Sequence, residues 1–160
     1  MLFWYVGLSV LIVHFVFQSA GVDYRLVVVG SLLPLAVDVP FRGSAYGHTL
    51  LASVVLLVLV MLVTIGRPRL VRRRLLCLPI GAFCGLVLSA AWTNSDVFWW
   101  PFTRSSLPSG SLLPAAGLVV VEELAGVAAC AWIAVRFGLT DRDRRDEFLR
   151  TGRLRATASS

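Results

Sequence analysis

The stretch HTLLASVVLLVLVMLVTIG, residues 48–66, decides the fold class of this chain. After His48 it contains no charged residue, and most of it is Leu and Val. As an α-helix rising about 1.5 Å per residue, it is long enough to cross a hydrocarbon core of about 30 Å. The sequence therefore predicts a transmembrane helix here.

Further apolar segments on both sides of this stretch predict an all-α integral membrane helical bundle with four or five transmembrane segments. Hydrophobic residues make up 58% of the 160 residues, above the roughly 45–50% of soluble domains. The segment at 26–40 is short and contains Gly30 and Pro34, so it either crosses with a kink or enters without crossing. The other segments lie at 2–18, 75–92 and 113–137.

The arginines predict the orientation of this bundle. They crowd two regions, 67–74 and the residues from 136 onward, and the positive-inside rule places both on the cytoplasmic side. Residues 93–111 hold one Arg and one Asp and are expected outside. We therefore expect a multi-pass protein of the cytoplasmic (inner) membrane, with its N-terminus outside. Residues 1–138 would form the bundle, and residues 139–160 a charged, partly disordered cytoplasmic tail.

The same arginines predict partners. Besides the lipid bilayer itself, anionic lipid headgroups are candidates for Arg67–Arg74 and the C-terminal tail, at about 1 kcal/mol per Arg near a charged surface. The alternative for the tail is a solvated helix continuation followed by disorder. The net charge of +6 is unevenly distributed, which argues against nucleic-acid binding by a folded basic face.

Asp38 and His48 are the main candidate site residues, because both lie at the predicted outer membrane edge. Ionisable groups at bilayer depth cost roughly 2.5–3.5 kcal/mol each, so they usually face inward and often mark a site. Carboxylate and imidazole suit a divalent ion such as Zn²⁺, Mn²⁺ or Mg²⁺. Glu122 and Glu123 lie inside the last apolar segment. Adjacent helical residues diverge by about 100°, so only one of them is a weak candidate for a further ligand.

The stretch GSLLPLAVDVPFRGSAYGHTLLAS, residues 30–53, resembles a bacterial inner-membrane family of membrane-bound metal-dependent hydrolases, some described as LexA-binding. In that family a similar run has Leu-Pro-Asp-x-x-Asp, a Gly/Arg-rich turn and His-[Ser/Thr]-Leu. The stretch GAFCGLVLSAAWTNSDVFWWPF, residues 81–102, is similar to a later family segment. The resemblance implies metal-assisted hydrolysis, with Asp38 and His48 among the ligands.

The chain departs from this family where the remaining ligands would stand. The family's other Asp and His positions are occupied here by Leu35, Gly85, Ser89 and Tyr5. A catalytic Zn²⁺ site needs three protein ligands and an open position. The two matching residues are too few, so the sequence indicates a degenerate member of the family.

Three functions remain open from the sequence. The leading hypothesis is a non-catalytic or nearly inactive relative without a bound cofactor, whose role is structural or lies in membrane interactions. The alternative is an active metal-dependent hydrolase that acts on a lipid or phosphoester at the outer face, with Glu122 or Glu123 completing the ligand shell. A weaker alternative is a small proton-handling or transporter-like bundle, against which the lack of an internal repeat counts. Common soluble-enzyme motifs such as HExxH are absent from the sequence.

Overall fold

The computed structural model describes residues 1–18, 21–38, 46–102 and 116–154, and the regular structure in these ranges is entirely helical. This confirms the all-α prediction. Short 3₁₀ turns cover Tyr46–His48 and Ala91–Thr93. The α-helices are α1 (Leu2–Phe17), α2 (Tyr24–Asp38), α3 (Leu50–Val63), α4 (Arg69–Leu75), α5 (Cys77–Leu88), α6 (Ser95–Phe98), α7 (Ala116–Arg136) and α8 (Arg142–Thr151).

Only α7, among the helices of the described ranges, is both long and apolar enough to cross a membrane on its own. Its apolar part, Gly117–Arg136, has 20 residues. Helices α1 and α3 are also apolar but have 16 and 14 residues. By helix length and composition the structure supports one span, which is fewer than the four or five expected from the sequence.

The predicted helix at 48–66 is shorter than expected because both of its ends are capped. The Thr49 hydroxyl accepts a hydrogen bond from the Ala52 N–H at 3.1 Å, so α3 begins at Leu50. At the other end the helix stops at Val63, and the chain turns through Gly66 at a φ of 76°. The helix is therefore about 21 Å long.

The segment at 26–40, which the sequence left open, forms a single helix in its described part. Helix α2 runs without a break from Tyr24 to Asp38 and includes Pro34. Its 15 residues correspond to about 22 Å. The predicted segment at 75–92 does not form one helix over its whole length. Its first residue, Leu75, ends α4, and α5 then covers Cys77–Leu88.

Helices α2 and α5 form the closest pair in the bundle, and glycines make that contact tight. A Cβ atom on Gly30 would meet the Leu78 carbonyl, and one on Gly81 would meet the Val27 carbonyl. At Gly85 an added Cβ would lie 2.5 Å from the Ser31 carbonyl oxygen. Gly81 and Gly85 are four residues apart on one face of α5, a spacing of small residues that favours a neighbouring helix, and α2 packs there.

The ends of four helices meet at one end of the bundle, here called the Asp38 end. The Trp4 indole N–H, near the start of α1, donates to the Leu88 carbonyl at the end of α5 at 3.1 Å. Asp38, which ends α2, bonds to Gly47 and His48 just before α3. These contacts bring the start of α1, the end of α2, the start of α3 and the end of α5 to one end of the bundle.

The opposite end, here called the Arg25 end, is where the C-terminal helix α8 docks. The Tyr24 N–H donates to the Gly152 carbonyl at 2.8 Å, and the Arg25 guanidinium donates to the Leu149 carbonyl at 2.6 Å. Phe148 and Leu154 pack against the hydrophobic core. The predicted tail at 139–160 thus contains α8, which docks on the bundle, and the described residues continue to Leu154. Residues 155–160 lie outside the described ranges, so disorder in the tail stays a prediction.

Candidate functional site

Local structure after α2 brings Asp38 and His48 together. The chain returns to the end of α2 through the 3₁₀ turn Tyr46–His48. Gly47 sits so close to the Pro34 carbonyl that a Cβ atom there would clash. The Thr49 hydroxyl donates to the Tyr46 carbonyl at 3.0 Å and also caps α3. These contacts hold the His48 side chain beside the last residue of α2.

Asp38 binds this turn through both of its carboxylate oxygens. Oδ1 accepts the Gly47 N–H at 2.5 Å, and Oδ2 lies 2.6 Å from His48 Nδ1. The two side chains are 11% and 8% exposed, so water competes little for these bonds. Short bonds to an ionised acceptor are among the stronger hydrogen bonds in proteins. The Asp38–His48 pair therefore closes the connection between α2 and α3.

The carboxylate also determines which imidazole nitrogen carries a proton. An ionised Asp38 only accepts, so Nδ1 of His48 donates to it. Nε2 makes no hydrogen bond with any residue of the described part of the chain. A histidine held through Nδ1 by a carboxylate has the orientation that metal-binding and proton-accepting histidines commonly use.

The two glutamates of α7 do not act as one group. Glu123 Oε2 forms an ion pair with the Met1 amino group at 2.9 Å, and Oε1 accepts the Phe3 N–H at 3.3 Å. Glu122 lies near the Tyr5 side chain, and its buried Oε2 has no partner within the described residues. As the helical geometry predicted, the neighbouring carboxylates have separate surroundings.

Among the residues that the structure describes, no third His, Cys, Asp or Glu side chain joins the Asp38–His48 pair. Across residues 1–18, 21–38, 46–102 and 116–154, no three His, Cys, Asp or Glu side chains come together in a way that could hold a metal ion. The positions outside these ranges contain none of those four residue types. Glu123, a weak candidate for completing a metal shell, is instead engaged with the first residues of α1. Whether a divalent ion binds stays a prediction.

Asp23 and Arg25 form a polar group at the Arg25 end that sequence reasoning missed. Arg25 Nε and one terminal nitrogen donate to the two Asp23 oxygens at 3.2 and 3.1 Å. The sequence does contain a pattern that could have predicted this ion pair, because Asp23 and Arg25 are two residues apart and directly precede the apolar segment at 26–40. The pair positions α8 and brings no chemistry to the Asp38 end.

No family model, no curated protein and no solved structure matches this chain. The resemblance to metal-dependent hydrolases therefore rests on the residue pattern alone. Function has to be argued from the geometry of the site and not from the fold.

Proposed function

We propose that this chain is a multi-pass protein of the cytoplasmic membrane with its N-terminus outside and its C-terminus in the cytoplasm. Helices α1, α3 and α7 would run inward, and α2 and α5 outward. The direction of each helix in the bundle supports this arrangement, because the Trp4 and Asp38 contacts bring the expected helix ends together. The arginines of α4 and α8 then lie on one side, as the positive-inside rule requires.

Exposed apolar surface is the second support for membrane placement. Large aliphatic side chains of α3 and α7 point away from the bundle, and Leu62, Val121 and Leu124 are 57%, 62% and 65% exposed. Exposed apolar area on this scale marks a membrane or protein contact. Helices of 14 to 16 residues are short for a 30 Å core, and local bilayer thinning accommodates such mismatch at modest cost.

We infer that the protein is a non-catalytic relative of the metal-dependent hydrolases, with a structural or interaction role in the membrane. The observation that carries this proposal is that Asp38 uses both carboxylate oxygens on its own turn. The Asp38–His48 pair then serves to close the α2–α3 connection. In this role it requires no third ligand.

Metal analysis of the purified protein tests this proposal. The protein is isolated without chelator, incubated with Zn²⁺ or Mn²⁺, desalted and measured by elemental mass spectrometry. We expect far less than one ion per chain, and the same amount in Asp38→Ala, His48→Ala and the control Asp143→Ala, whose side chain lies exposed on α8. About one ion per chain that is lost in the first two variants and kept in the control would refute a non-catalytic role.

One observation favours an active metal-dependent hydrolase as the second candidate. His48 Nε2 is free of described partners while Nδ1 is held by Asp38. In that case His48 would hold the ion and Asp38 would orient the imidazole. Glu122, whose Oε2 has no hydrogen-bond partner among the described residues, would be the candidate on α7 for another ligand. The metal would polarise a substrate oxygen or supply hydroxide at the outer face. The same metal analysis separates the two candidates.

A further inference from the structure

Helix α4 carries an unusually concentrated positive charge. The α4 arginine cluster consists of Arg67, Arg69, Arg72, Arg73 and Arg74. All five are solvent-exposed residues. The chain has no Asp or Glu between Asp38 and Asp96, so neither α3, α4 nor α5 contributes a carboxylate to this cluster.

Spacing within α4 makes this concentration costly without an anion. Arg69 is three residues from Arg72, and this spacing brings their side chains together on one helix face. Like charges at such spacings destabilise a helix by roughly 0.2–0.5 kcal/mol per pair. A phosphate group between the guanidinium groups would turn this repulsion into attraction, since Arg pairs with phosphate through two parallel hydrogen bonds.

Helix α8 has a different charge pattern, although it also contains several arginines. Arg142, Arg144 and Arg145 alternate with acids, and α8 ends in contact with the Arg25 end of α2. The acids of α8 are Asp143, Asp146 and Glu147. Internal compensation of this kind leaves little net charge for an external anion. The two arginine regions are therefore not equivalent.

Apolar side chains beside the α4 arginine cluster indicate that the anion belongs to a lipid. Ile65 and Leu70 are 73% and 70% exposed, and both neighbour the arginines in sequence. Free phosphate gains nothing from such groups, whereas a phospholipid offers acyl chains to them and phosphate to the guanidinium groups. A basic and apolar surface at a membrane edge fits anionic lipid.

We propose that the α4 arginine cluster binds anionic phospholipid headgroups of the cytoplasmic leaflet, and that α8 does not. This inference rests on the proposed membrane placement. It assigns the lipid contact to Arg69, Arg72 and Arg74, the exposed arginines of α4 that lie away from the Gly21 turn, which Arg73 approaches.

Native mass spectrometry of the full-length protein tests the assignment. The protein is released from nanodiscs of equimolar phosphatidylglycerol and phosphatidylcholine, and the lipids retained on each chain are counted. Arg69→Gln/Arg72→Gln/Arg74→Gln is compared with Arg142→Gln/Arg144→Gln/Arg145→Gln, which removes the same charge from α8. Phosphatidylglycerol affinity is expected to fall about fivefold per α4 arginine removed, and to stay within twofold of wild type in the α8 variant.

Four results would each overturn one of the two proposals. Equal retention of the two lipids by wild type, or equal loss in both triple variants, overturns the assignment to α4. A further result is that millimolar inorganic phosphate displaces phosphatidylglycerol from a site that does not distinguish the two lipids. That result would show a simple phosphate site and would also overturn the assignment of a lipid site to α4. A protein that does not enter nanodiscs at all would refute the membrane placement, so the failures of the two proposals are distinguishable.

Discussion

At the scale of single residues, polar contacts join the helix ends at the Asp38 end. Asp38 is 8% exposed and His48 is 6% exposed, and each has a partner on the other side of the α2–α3 connection. Trp4 makes the equivalent contact between α1 and α5 through its indole N–H. Because these side chains connect different helices, each should contribute to the stability of the whole bundle.

Trp4→Phe should lower the free energy of unfolding by roughly 0.5–1.5 kcal/mol, the usual net value of one hydrogen bond. The substitution keeps an aromatic ring but removes the donor to the Leu88 carbonyl. Trp92→Phe is the matched control, because Trp92 is 59% exposed and should change stability by less than about 0.5 kcal/mol. Thermal unfolding in detergent measures both. Equal effects of the two substitutions would contradict a specific role for the Trp4 bond.

Sequence reasoning at this scale placed Asp38 and His48 at the same edge of the predicted bundle but did not predict the hydrogen bond between them. Two ionisable residues at the same edge of two apolar segments were enough to bring Asp38 and His48 together. Their direct hydrogen bond depends on a 3₁₀ turn and on Gly47 fitting against Pro34, which no residue pattern specifies. The partners of Glu123 could not be predicted either, because they depend on how α1 packs on α7.

At the scale of helices, close backbone contact explains the pairing of α2 with α5. Glycines replace side chains at the contact, so dispersion forces act between backbones at short range. This part of the fold was predictable, since small residues four apart on an apolar helix favour a neighbouring helix.

Gly81→Ala should destabilise the bundle by roughly 1–3 kcal/mol, because the new methyl group has no room beside the Val27 carbonyl. Gly117→Ala is the matched control on α7. No atom of the described residues lies within 4 Å of the position a Cβ would take there, so the gain in helix propensity should stabilise the protein by up to about 1 kcal/mol. Loss of stability of the same size in both variants would mean that glycine packing does not hold α2 against α5.

Helix boundaries were the least predictable feature at this scale. Hydropathy cannot distinguish a helix of 19 residues from a shorter one with capped ends, and α3 is the shorter kind because Thr49 caps it. The docking of α8 was also not predictable. The charged sequence suggested a solvated helix, whereas Phe148 and Leu154 supply apolar contacts that dock this region on the bundle.

At the scale of the whole molecule, α1 packs parallel to α7, and α2 packs parallel to α5. This packing brings the arginine-rich helices α4 and α8 to the same end of the bundle, the Arg25 end. The positive-inside rule predicts that this end faces the cytoplasm, and that orientation stays a prediction.

Cysteine accessibility tests this topology. Single cysteines replace Ser44, Ser109 and Arg144 in a background without Cys77, Cys84 and Cys130. Ser44 and Ser109 lie outside the described residues. A membrane-impermeant maleimide added to intact cells should label the cysteines at positions 44 and 109 but not the one at 144, which should react only after permeabilisation. Labelling of position 144 in intact cells would reverse the orientation, and labelling of 44 and 109 on opposite sides would mean that one segment does not cross.

The central claim is that the Asp38–His48 pair supports the bundle by direct bonding and not through a metal ion. A double-mutant cycle of Asp38→Ala and His48→Ala, measured by unfolding with and without EDTA, tests it most directly. We expect a coupling free energy of roughly 1.5–3 kcal/mol, typical of a hydrogen bond to a charged group, with the same value in both conditions. A coupling that disappears in EDTA would contradict the claim and favour a metal site.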